Sequence, residues 1–149
     1  TPHLVMLAVS GTGGSALDSM LERHAGLKGI VEGMHSTHPL LRQIAEAPQI
    51  LEAQESVRSW IYTLPDAERT PARIQQGALE SMGEALNTLA ARGKAEDVSL
   101  YREFVLSLAM RVAQAAREGD ILGIDGVRVS AGESGFIEKL KALAVAKAA

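Results

Sequence analysis

The residues of this chain whose types and spacing could do chemistry lie first in "GDILGIDGVRVSAGESGF", Gly119 to Phe136. There Asp120, Asp125 and Glu133 surround a Gly-rich turn. Carboxylate oxygens spaced along a loop are the donors that hard divalent cations prefer, and the EF-hand is the best-defined loop of this kind. It needs oxygens at loop positions 1, 3 and 5, Gly at 6 and Glu at 12. With Asp125-Gly126 at the fifth and sixth positions, the first and third fall on Ile121 and Gly123, and the twelfth falls on Gly132 rather than Glu133. The EF-hand is excluded. Two readings stay open. In one, Asp125-Gly126 is a turn pair, and Glu133 reaches back to the Ser130 N–H in an S-x-x-E capping box. In the other, Asp125, Glu133 and Asp120 are ligands of a divalent metal ion, the one cofactor the sequence leaves open.

A second candidate is "AVSGTGGSALD", where Gly11, Gly13 and Gly14 precede a helical segment. Backbone N–H groups at such a place can cradle a phosphate, helped by the helix dipole. The nucleotide-binding P-loop also requires a Lys, which is absent, and the dinucleotide form requires a parallel sheet that nothing here supplies. The plainer reading is a helix–helix connection with Ser15 as the next N-cap. A third candidate is "EGMHSTHP": Glu32, His35 and His38 recur every three residues and would share one face of a continuous helix, as zinc ligands can. Ser36, Thr37 and Pro39 mark a helix end there, so the imidazoles have no common direction. Trp60 and Tyr62 form the only close aromatic pair, a pairing expected in a core before a ligand site. No G-x-S-x-G elbow or other nucleophile motif occurs, so no catalytic residue is assigned.

The segment "AMRVAQAAREGDILGIDGVRVSAGESGFIEKLKAL" resembles the repeat of the TerB-like family of small bacterial helical proteins. Ala113, Ala116, Asp125-Gly126, Val129, Ser130 and Glu133 occupy the places of that family's Ala-rich helix, its Asp-Gly turn and its helix-opening Glu. The resemblance covers about the last third of the chain; the remainder is similar to uncharacterised bacterial proteins in helix pattern. It implies a compact helical bundle, a tie to tellurite and other stress responses, and an acidic metal-binding face.

The composition sets the frame that must hold these residues. A chain of 149 residues is expected to form one domain, burying roughly 70% of its unfolded surface without a metal or disulfide to hold it. Aromatic residues are only 3% of the chain, so stacking platforms for bases or flavins are few. Net charge is −3, which argues against a phosphate-tracking face and against nucleic acid as a partner. The absence of cysteine removes disulfides, thiolate zinc sites and cysteine nucleophiles together. The apolar run "LVMLAV" is far too short to span a membrane, so no membrane insertion is expected and a cytoplasmic location is. The opening Thr1-Pro2 lacks an initiator Met, which fits a trimmed or processed start.

Helical periodicity runs through nearly all of the chain. "STHPLLRQIAEA" offers Ser36 or Thr37 as a cap and Pro39 in the first turn. "PQILEAQESVRSWIYTL" restarts after Pro48 and is closed by Pro65. A helix from about Thr70, with Pro71 at its first position, ends at Gly93. In "DVSLYREFVLSLAMRVAQAAREG", Leu100, Tyr101, Phe104, Val105, Leu108, Ala109, Val112 and Ala116 share one face. The last helix is expected to bury Phe136, Ile137, Leu140 and Leu143. The fold class is all-α, a single compact helical bundle of about five to seven helices spanning 1–149. The leading functional expectation is a non-enzymatic module that binds a partner protein or responds to metal, with homo-oligomerisation open. The alternative is a phosphate- or nucleotide-binding domain built on Gly11–Gly14, with an enzymatic role open.

Overall fold

The computed structural model describes residues 1–10, 16–118 and 131–146, and among them it is an all-α bundle. Its helices are α1 (Pro2–Ser10), α2 (Ala16–Glu32), α3 (Pro39–Ala45), α4 (Ala47–Thr63), α5 (Pro71–Arg92), α6 (Ala95–Glu118) and α7 (Ala131–Ala146). Short 3₁₀ turns follow α2 at Gly33–His35 and α4 at Asp66–Glu68. None of the helices described is long and apolar enough to cross a membrane.

Local chemistry explains most of the helix ends. Thr70 caps α5, its Oγ1 accepting the Arg73 N–H at 3.3 Å with Pro71 in the first turn. At the other end the Gly93 N–H donates to the Leu89 carbonyl at 2.7 Å. Asp97 reaches back to cap α6, its Oδ2 accepting the Lys94 N–H at 2.7 Å, which gives an acceptor to a donor that a helix start leaves unpaired. For α3 the sequence expectation is corrected. The N-cap is His38, without a side-chain cap bond, and the Ser36 Oγ instead accepts the His38 N–H at 3.1 Å. Pro48 sits inside the first turn of α4, which begins one residue before it.

The core is organised around α1, a helix apolar on nearly every side. Val5 and Val9 are wholly buried, with Leu4, Met6 and Ala8 close behind. A helix with this pattern has no solvent face to offer and is stable only when enclosed. It is enclosed by α2, α4, α5, α6 and α7. Met82 and Leu86 of α5, Val105 and Val112 of α6, and Phe136 and Leu140 of α7 complete the same cluster. Each large apolar side chain buried in this way contributes about 1.5–3 kcal/mol. On the α2 side, Gly26 makes the approach close: a Cβ there would lie 2.5 Å from Met6 Cγ and 2.9 Å from Val112 Cγ2. The glycine that weakens α2 as an isolated helix lets it seat between α1 and α6. Helix α7 is tied down through the Arg102 Nη1, which donates to the Ala144 carbonyl at 3.0 Å.

By contrast α4 lies on the outside. Ile50 is its one buried residue, while Val57 and Trp60 are half-buried against the main core. Open grooves flank it on both sides.

Candidate functional site

Asp120 and Asp125, with Ser130, lie outside the described residues, as do Gly11, Gly13 and Gly14. Glu133 is described: it stands in the first turn of α7 and is only 3% exposed. The structure separates the Glu32, His35 and His38 series. Glu32 ends α2 and pairs with the Arg111 guanidinium of α6, whose hydrogen bond holds the Glu32 carboxyl below the usual carboxylate range. His35 is exposed in the 3₁₀ turn. His38 faces α6, its Nε2 lying 3.5 Å from Asp97 Oδ1 and 3.9 Å from Glu96 Oε1. No three His, Asp or Glu side chains among the described residues gather as metal ligands would.

What the fold does assemble is a groove of about 590 Å³ between α4 and α5, floored by the start of the chain and α1. Its walls carry Glu52 from α4 and Glu80 and Glu84 from α5, with no Lys or Arg in the lining. Glu80 is partly satisfied: Arg73 Nη1 lies 3.5 Å from its Oε2, and Gln76 Nε2 donates to its Oε1 at 3.0 Å. Glu52 and Glu84 form no ion pair among the described residues. The rest of the lining mixes small or apolar residues, Leu4, Ala53, Val57 and Gly77, with the neutral polar Thr1, Gln49, Ser56 and Ser81.

Trp60 also lines this groove. Its ring is packed so tightly on α5 that a Cβ at Gly77 would sit 2.5 Å from Trp60 Cη2. The Arg73 guanidinium, also on α5, stands 5.3 Å from the ring centroid, within cation–π range. On the floor, the Thr1 Oγ1 donates to the Ser81 carbonyl at 3.1 Å and lies 2.9 Å from the Ser81 Oγ. The Gln49 Oε1 is buried without a hydrogen-bond partner. The arrangement can hold a cationic group over an apolar surface.

The sequence reading treats Trp60 and Tyr62 as one aromatic pair of the core, and the structure divides them. Trp60 packs inward, whereas Tyr62 is 64% exposed. The three groove carboxylates escape that reading because they line one groove only once the chain has folded. One signal was available: Glu80 and Glu84 are four residues apart and share a face of α5. Comparison with family models, curated proteins and solved structures finds no match to this chain.

Proposed function

We propose that this chain is a non-catalytic binding module whose α4–α5 groove receives a basic, amphipathic segment of a partner protein. The observation that carries the reading is the lining of the groove: three carboxylates, no Lys or Arg side chain, and an apolar strip of Leu4, Ala53 and Val57 beside Trp60. A helix or extended segment with Lys or Arg beside Leu or Val matches that surface in charge and in polarity. A stress association and a divalent ion at Asp120, Asp125 and Glu133 belong to this proposal only through the resemblance of the tail to TerB-like proteins.

The chain contains a single Trp, so its emission reports on the groove directly. Titration with an amphipathic Lys/Leu peptide of about 16 residues is expected to shift that emission saturably. A Glu/Leu peptide of the same pattern is expected to leave it unchanged. Raising salt from about 0.05 to 0.5 M should weaken the Lys/Leu complex. The pair Glu52→Gln/Glu84→Gln should weaken it about tenfold, or 1.4 kcal/mol. Equal binding of the two peptides, or full affinity in the Gln variant, would sink the proposal.

A further inference from the structure

The opposite flank of α4 has a different chemistry. A groove of about 450 Å³ runs there between α1, α2 and α4, within the range typical of small-ligand sites, roughly 300–1,000 Å³. Its walls include Met6, Leu7, Val57 and Ile61, and its charged lining is purely basic, Arg23 from α2 and Arg58 from α4. We propose that this groove binds a small amphipathic organic anion, a medium-chain carboxylate, with its hydrocarbon against the apolar wall and its carboxylate at Arg23 and Arg58.

Three features of the lining bear on the occupant, and the two arginines among them favour an anion over a neutral or cationic one. Arg23 is exposed and forms no ion pair among the described residues. Arg58 has only a loose one, its Nη1 lying 3.9 Å from Glu55 Oε2 with both side chains largely in solvent. It also stands 5.8 Å from the centroid of the exposed Tyr62 ring, another lining residue. A guanidinium fork in this state is free to take a carboxylate in two parallel hydrogen bonds. The third observation is His3. It lines the groove, is 4% exposed, and its Nε2 is buried without a hydrogen-bond partner. Burial pushes the His3 imidazole down to about 4, so at neutral pH the arginines alone supply the charge of the lining.

Decanoate and decanol are the probes, the same chain with and without the charge. Amide chemical shifts followed during a decanoate titration should saturate at one equivalent and centre on Met6, Leu7, Ile61 and Tyr62. Decanol should bind at least about tenfold more weakly. The exposed pair Arg23→Ala/Arg58→Ala, checked for folding by circular dichroism, should bring decanoate down to the affinity of decanol and leave decanol unchanged. Equal affinity of the two probes in the unaltered protein overturns the proposal. So does unaltered decanoate binding in the double variant, a shift map centred elsewhere, or no saturation at millimolar concentration. The basic-peptide titration reads Trp60 and Glu52/Glu84 on the other flank of α4, so either proposal can fail without the other.

Discussion

Single residues decide how closely α4 can lie on α5, and two glycines of α5 separate the effects. An interior Gly→Ala change ordinarily stabilises a helix by about 1 kcal/mol. At Gly83 nothing lies within 4 Å of the new methyl, so Gly83→Ala is expected to raise the unfolding free energy by about 0.5–1 kcal/mol. At Gly77 the methyl would meet Trp60 Cη2 at 2.5 Å and Cζ2 at 2.7 Å, and overpacking typically costs about 1–3 kcal/mol. Gly77→Ala should therefore lose about 1 kcal/mol net and change the Trp60 emission. Urea unfolding of both variants checks the pair. A stabilised Gly77→Ala would mean that the ring yields freely and that the groove wall is soft. The sequence shows these glycines only as weak spots in a helix; nothing in it distinguishes the one facing an indole from the one facing solvent.

Among the helices, α4 depends most on its ends. Its last carbonyls are collected by one side chain: Arg69 Nε donates to Ile61 O at 3.2 Å and to Leu64 O at 3.1 Å, and Nη2 donates to Tyr62 O at 3.2 Å. Asp66 Oδ1 holds the same guanidinium at 2.6 Å. A helix end leaves such acceptors unpaired unless something reaches them. Arg69→Ala is expected to destabilise by about 1 kcal/mol, the low end for charged donors because the site is half open to water. Hydrogen exchange should quicken in the last turn of α4 and not in α5; uniform exchange would place the role of Arg69 elsewhere. This long-range cap was not legible in the sequence, whereas Thr70, Pro71 and Gly93 were, because those residues act on their own helix. The shift of the α3 cap to His38 shows the limit of the local rule: Ser36 and Thr37 are both good caps, and Ser36 spends its oxygen on the turn before the helix. Helix α1 carried no periodic signal, since a helix buried all round has no polar stripe to set the period.

At the scale of the whole molecule, the same buried α1 makes stability depend on pH. Burial holds His3 down to about 4 against an ordinary 6.5. Between those values the unfolded chain binds a proton that the folded chain refuses. Stability from this source is complete above pH 6.5 and is lost as pH falls from there towards 4. The loss should be of order 2 kcal/mol, measured as urea unfolding at pH 7 and pH 4.5. His3→Leu should flatten the difference; an equally steep dependence in that variant would assign it to other groups. The all-α bundle was legible in the sequence because periodicity repeats in segment after segment. The grooves were not, since each belongs to helices distant in sequence and exists only where they fail to close on one another. The enclosure of α1 also sets an order of events. Its neighbours are α2, α4, α5, α6 and α7, all of them later in the chain. During synthesis the most apolar helix therefore emerges ahead of the five helices that pack on it here, and the last of that cover, Phe136 and Leu140, arrives only with α7. Until then α1 must be sheltered by provisional pairing or by a chaperone, because its exposed state is the aggregation-prone one.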